Sequence, residues 1–181
     1  TIVNGEITQL FSSKWTASRE NYYHRIYAKT ASLFETASAA AGLLTPVNDE
    51  EYEHLRQYGY QIGMAFQMVD DILDFTGEQA TMGKPVASDL RQGLITLPAI
   101  YYLESNPKEQ YLQEMLESNF YDEERIGKIL AAIRNSGAIQ KSLDEANQAI
   151  ERGITALHHL PDTPERVSLE DLAHYIVERD R

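Results

Sequence analysis

Gln67, Asp70, Asp71 and Asp74 stand at i, i+3, i+4 and i+7 within Gln67-Met68-Val69-Asp70-Asp71-Ile72-Leu73-Asp74. On a helix of about 3.6 residues per turn they share one face about 100° wide. Ile62, Met64, Ala65, Phe66, Met68, Val69, Ile72, Leu73 and Phe75 cover the rest of the circumference. A helix that is apolar nearly all round is a buried one. The acidic face is therefore expected to look into an internal cavity rather than into bulk water. Three carboxylates this close repel one another, and burying them bare is costly, so positive charge must face them. No Lys or Arg lies between Gln61 and Met82, which makes that partner non-local. Hard divalent cations take oxygen ligands, and magnesium is usually held by one or two carboxylates together with substrate phosphates. The spacing suggests a magnesium–diphosphate site. The competing reading is an exposed acidic patch or an ion-paired structural cluster.

Two lysines are candidates for the opposite charge. Lys29 lies in Ala28-Lys29-Thr30-Ala31-Ser32-Leu33-Phe34, a small and apolar stretch, where it either snorkels to the surface or neutralises something buried. Lys84 sits in a Gly-Lys-Pro loop just after the acidic run, where it is either an ordinary exposed lysine or a flexible donor to an anion. Asp89 and Arg91 are placed either to hold metal-bound water or to pair with each other. His24, His54, His158, His159 and His174 are scattered, without metal-ligand spacing, and read as surface or core residues.

The elements that must position these residues read as helices throughout. No segment alternates with the period of a strand. Thr8 to Thr16 reads as the end of a helix. A second helix is expected from Ser18-Arg19-Glu20 to Leu44, ending in the small run Ala39-Ala40-Ala41-Gly42. A third runs from about Glu50 to Phe75, capped by Asn48 or Asp49. After a loop from Gln79 to Ala87, Ser88 is a good N-cap for a helix that Pro98 should kink. Shorter amphipathic helices are expected at about Lys108–Glu117, Asp122–Asn135 and Ala138–His159. A last helix opens at Ser168 and ends at Arg179-Asp180-Arg181.

The 181 residues suffice for one domain with a real core, taken as 1–181 without a convincing boundary. A formal net charge of −12 argues against nucleic acid and anionic membrane surfaces as partners. There are no cysteines, which fits a cytoplasmic protein. No apolar run approaches the roughly 20 residues that span a bilayer, so stable membrane insertion is not expected. The chain begins at Thr1-Ile2-Val3, which suggests a fragment or a processed piece.

Four segments in order, Lys29-Thr30-Ala31, Gly63 to Asp74, Gly83-Lys84-Pro85-Val86-Ala87-Ser88-Asp89-Leu90 and Thr96-Leu97-Pro98, together resemble the trans-isoprenyl diphosphate synthases. The likeness is to the medium- and long-chain polyprenyl enzymes, of hexaprenyl and heptaprenyl type, and covers most of the chain. It implies an all-α, isoprenoid-synthase-type helical bundle around a central cavity. It implies elongation of an allylic diphosphate with isopentenyl diphosphate, with Mg2+ as cofactor and a quinone side chain as the destination of the product.

By the same resemblance, Asp70, Asp71 and Asp74 form the second aspartate-rich motif. Asp70 and Asp74 would hold the metal, with Asp71 nearby or acting through water. Lys29 and Lys84 would contact the allylic diphosphate. Gln67 and Thr30 would lie beside the reacting carbon, and Phe66 near the isopentenyl substrate. Two departures stand out: Ala87 where the family usually has Gly, and Leu94 where it usually has Lys or Asn. The family's first aspartate-rich motif and its isopentenyl-binding basic residues belong to an N-terminal half that this chain does not contain. The polypeptide alone is therefore expected to be inactive, and its partners to include that missing half and a second subunit in a homodimer or heterodimer. A terpene synthase or cyclase and a non-catalytic partner subunit are the alternative readings. The Lys29-Thr30 and Gly-Lys-Pro segments favour elongation over the first, and the three aspartates argue against the second.

Overall fold

The computed structural model describes residues 18–77, 85–118 and 122–178, and among these every regular element is helical. The expected helix end at Thr8–Thr16, Lys84 and the terminal Arg179-Asp180-Arg181 lie outside the described residues. The elements are α1 (Arg19–Ile26), a π-helical turn (Tyr27–Ala31), α2 (Ser32–Leu44), α3 (Asp49–Thr76), α4 (Ser88–Arg91), α5 (Leu97–Ser105), α6 (Tyr111–Ser118), α7 (Glu123–Asn135), α8 (Ala138–Leu157) and α9 (Pro164–Glu178).

The long acidic helix, α3, is the axis of the structure, packed mainly between α2 and α8. Its start is fixed by a reciprocal cap. The Asn48 side chain accepts from the Glu51 amide at 2.9 Å, and the Glu51 carboxylate accepts from the Asn48 amide at 2.9 Å. Its far end is held by Arg134, which donates to the Phe75 carbonyl at 2.7 Å.

Close approach on both sides of α3 follows from small residues. A Cβ on Gly59 would lie 2.5 Å from the Phe34 carbonyl oxygen, and one on Gly63 would lie 2.6 Å from the Ala31 Cα. On the other flank, α8 presents Ser142, Ala146, Ala149 and Gly153, all buried at spacings of three and four. The chain from Tyr22 to Ser38 therefore runs antiparallel to α3. Its early residues meet Asp71, and its later ones meet Gly63 and then Gly59.

Three expectations are corrected. The stretch from Ser18 to Leu44 is helical throughout, with Ser18 accepting from the Asn21 amide as its cap, but Tyr27–Ala31 is wound as a π turn. Pro98 does not kink a helix that starts at Ser88. Instead α4 ends at Arg91, the chain turns through Gly93 at φ 77°, and Pro98 sits in the first turn of α5. A first-turn residue has no intrahelical acceptor for its N–H, so the missing proline N–H costs nothing there. The last helix begins at Pro164 rather than at Ser168. The Thr163 hydroxyl accepts from the Arg166 amide at 3.3 Å, and Ser168 bonds back to the Pro164 carbonyl at 2.9 Å from inside the helix.

A carboxylate also joins α1, α5 and α8. Glu145 accepts from the hydroxyls of Tyr23 and Tyr101, and Arg19 stacks over the Tyr101 ring at 4.3 Å. An open polar pocket of about 380 Å³ lies against this knot, lined by Arg19, Tyr101, Lys141 and Arg152 among others, and not against the acidic row. The surface from Tyr22 to Leu33 is only partly exposed. Tyr22 and Ile26 lie in the core, while Leu33, Leu43 and Leu44 are exposed. Among the described residues no helix is long and apolar enough to cross a membrane.

Candidate active site

Gly59, Gly63, Gln67 and Asp71 form one i+4 row along α3. The two glycines let the facing helix come close enough for side-chain contact at Gln67. There the Thr30 hydroxyl donates to Gln67 Oε1 at 2.6 Å, and Gln67 Nε2 donates to Asp71 Oδ1 at 2.9 Å. The carboxylate fixes which end of the Gln67 amide points where, because only the NH₂ end can donate to it. Thr30 spends its proton on Gln67 and so keeps oxygen lone pairs facing away from it. Both Thr30 and the half-buried Lys29 ride on the π turn, a local widening of the helix that often occurs at functional positions. Lys29 forms no ion pair among the described residues. Phe66 packs its ring on Phe34, with centroids 5.4 Å apart, flanking the same contact.

The three aspartates are not presented alike. Asp70 is half-buried, Asp71 is 5% exposed and Asp74 is 0% exposed. Burial pushes the Asp71 carboxyl up to about 7, and the nearby Asp89 pushes the same way. The Gln67 hydrogen bond and Arg25 oppose that rise. The buried Tyr22 hydroxyl also lies near Asp71, outside hydrogen-bond geometry. Arg25 is the non-local cation that the sequence requires. It is half-buried and donates to the Ile95 carbonyl at 2.6 Å. Desolvation lowers its pKa, against the pull of Asp71, Tyr22 and Asp89. Sequence reasoning did not single it out. The signal was its place one turn before Lys29, with Tyr22 a turn earlier still.

Asp74 is held by the chain at 87–89. Its Oδ1 accepts from the Ser88 amide at 3.1 Å and the Ser88 hydroxyl at 2.7 Å, and its Oδ2 accepts from the Asp89 amide at 3.0 Å. Ser88 is thus the first residue of α4 rather than its cap. The cap position is Ala87, with no side-chain hydrogen bond. Nor does Arg91 pair with Asp89. It pairs with Glu123, and its Nε donates to the Val86 carbonyl at 3.0 Å.

The Asp71 environment carries a pH prediction. The free carboxyl titrates near 3.9, below its folded value of about 7. Between these values the folded protein keeps a proton that the unfolded chain has released. Stability from this group is full below about pH 4 and is lost as pH rises through about 7. Asp71→Asn should therefore gain in thermal stability relative to the parent between pH 5 and pH 8, measured without divalent cation. Parallel stability curves for the two proteins would refute the burial of an ionisable Asp71.

Residues 1–133 match the family model described as Polyprenyl synthetase. The chain belongs to that family. It is 36% identical over 183 residues to the octaprenyl diphosphate synthase of Escherichia coli, covering 99% of this chain and 56% of that one. Among solved structures, the Caulobacter crescentus polyprenyl synthase, complexed with calcium and isoprenyl diphosphate, aligns with TM-score 0.89 and 34% identity, covering 99% of this chain and 56% of that one. The heptaprenyl diphosphate synthase of Staphylococcus aureus aligns with TM-score 0.91 and 27% identity, covering 99% and 57%. The chain thus spans about half the length of the relatives it matches, and it shares their all-α isoprenoid-synthase fold.

The family implies a divalent cation, and the residues present fit one in part. Asp70 is a hard oxygen donor on the more open side of the acidic row, the kind of ligand magnesium takes. Asp71 and Asp74 are committed to Gln67 and to the 87–89 chain. Among the described residues no three His, Cys, Asp or Glu side chains converge as a self-sufficient metal cage. Magnesium usually draws on substrate phosphates and water as well.

Proposed function

We propose that these residues form the allylic-diphosphate side of a prenyltransferase that elongates an allylic diphosphate with isopentenyl diphosphate to a medium- or long-chain polyprenyl diphosphate. The observation that carries this reading is the hydrogen-bonded line Thr30–Gln67–Asp71, with Lys29 preceding Thr30 and Asp70 preceding Asp71 in the chain, and backed by the half-buried cation Arg25. The relatives support the substrate class. One is an octaprenyl diphosphate synthase, and another was solved with calcium and isoprenyl diphosphate.

Asp70 would hold Mg2+ against the diphosphate, and Lys29 and Lys84 would contact its oxygens. When bound, the metal supplies charge neutralisation that lets diphosphate leave. The residues of this chain do the rest. Lysines add positive charge where negative charge builds on the leaving group. The lone pairs of Thr30 and the oxygen of Gln67 face the allylic cation, and the fixed orientation of the Gln67 amide keeps its oxygen on that side. Apolar side chains around the row keep water from the cation. Asp71, paired through Gln67 and opposed by Arg25, orients the line rather than reacting.

Because the chain spans about half of its relatives, it should be inactive alone. The test is a magnesium-dependent assay with farnesyl and isopentenyl diphosphates. It compares the 181-residue chain with a version extended at its N-terminus to the relatives' length. Polyprenyl diphosphate from the extended protein only is the expected result. A cyclic hydrocarbon product would move the reading to a terpene cyclase. An extended protein that binds both diphosphates and makes no product would leave a partner subunit.

A further inference from the structure

We propose that Asp74 is a positioning residue and not a metal ligand: it pins the 87–89 segment against the end of α3 and so sets where Asp89 enters the site. Four hydrogen bonds from three consecutive residues converge on it. The Ala87 amide donates to the Asp74 carbonyl at 2.7 Å, and the Ser88 amide, Ser88 hydroxyl and Asp89 amide donate to the carboxylate. An ionised carboxylate offers about four lone-pair positions, and three are taken by this one segment. The side chain has no exposed surface, whereas Asp70, one turn back, is half-buried. Magnesium needs oxygen ligands at about 2.0–2.1 Å. Reaching Asp74 would displace donors whose buried amides would then lack an acceptor.

The backbone supports the same assignment. Ala87 is the only non-glycine among the described residues with positive φ, at 57° with ψ 40°. That conformation is disfavoured for an L-residue with a Cβ. It persists where the surroundings over-determine it, and the Asp74 hydrogen bonds on both sides of Ala87 do so. What the pin delivers is Asp89, close enough to Asp71 and Arg25 to perturb both.

The statement about the metal rests on the prenyl-transfer reading, whereas the pin itself does not. The test uses the extended protein, with Asp70→Asn, Asp74→Asn and Ser88→Ala. Mn2+ binding in the presence of inorganic pyrophosphate is one readout, and amide hydrogen exchange at Ser88 and Asp89 is the other. Asp74→Asn cannot accept from the Asp89 amide through its NH₂ group. It should speed exchange at these amides by about tenfold, as loss of a hydrogen bond to a charged group implies, and leave Mn2+ affinity within about threefold. Ser88→Ala, which removes only the hydroxyl donor, should loosen the same amides to a smaller degree. Asp70→Asn should do the reverse, weakening Mn2+ and leaving exchange unchanged. Asp74→Asn that weakens Mn2+ as much as Asp70→Asn, or that leaves exchange at both amides unaltered, overturns the proposal. A parent protein that binds no Mn2+–pyrophosphate would count against the prenyl-transfer reading, and the exchange pattern would still decide for or against the pin.

Discussion

Asp70→Ala is expected to lower polyprenyl-forming turnover of the extended protein by about 10²–10⁴-fold while leaving the fold intact. A bound metal contributes several kcal/mol of charge stabilisation to loss of diphosphate, and each 1.36 kcal/mol is about tenfold in rate. Asp70 is the aspartate of the three placed to make that contribution, because it is half-buried whereas Asp71 and Asp74 are buried. Folding should survive because removing one of several nearby carboxylates relieves like-charge repulsion, and Ala is the best residue for a helix interior. Steady-state kinetics beside thermal unfolding separate the two effects. If kcat/KM stays within about threefold of the parent, Asp70 holds no catalytic metal and the assignment of the row fails. Excess magnesium should restore part of the loss if the defect is in metal affinity rather than in orientation.

The second large effect is on stability. Gly63→Ala should destabilise by about 1–3 kcal/mol. In a protein of 150–250 residues that is a fall of about 2–4 °C in Tm per kcal/mol. The added Cβ would meet the Ala31 Cα at 2.6 Å, a backbone atom that no rotamer change can move. The two helices must therefore separate. Gly59→Ala meets the Phe34 carbonyl oxygen at 2.5 Å and the Ser38 hydroxyl at 2.6 Å, and should behave alike. The two costs will not simply add, since one helix shift relieves both.

The position of Gly63 makes the effect functional as well. Ala31 adjoins Lys29 and Thr30 on the π turn, so pushing it away stretches the 2.6 Å Thr30–Gln67 hydrogen bond. The expected result is a lower Tm together with a lower kcat at unchanged metal dependence. An unchanged Tm would mean that the helices are not packed through these glycines.

Asn48 and Glu51 fix the start of α3, and the acidic and apolar residues after them set its faces, because caps and helical period act within a few residues along the chain. Helical periodicity along the chain therefore carried the all-helical class and the long central helix, and the run from Gln67 to Asp74 carried the inward turn of Gln67, Asp71 and Asp74. It also required a distant cation without saying which. Several features were invisible there because each depends on a contact between segments far apart in the sequence. The π turn at Tyr27–Ala31 gives no separate periodic signal. Pro98 and Ser168 matched local rules for a kink and a cap, yet the chain turn at Gly93 and the Thr163–Pro164 start prevailed. Arg25 became the counter-ion only when α1 lay against α3.

The departure at Ala87 is visible in the sequence, but its meaning is not. The left-handed backbone there is held by Asp74 from another helix. Local composition thus determined which residues form helices and which face of α3 is acidic, since propensity and periodicity are short-range. Tertiary structure decided how deeply each aspartate is buried and which donors reach Asp71 and Asp74, since a carboxylate's role depends on the donors that folding brings to it.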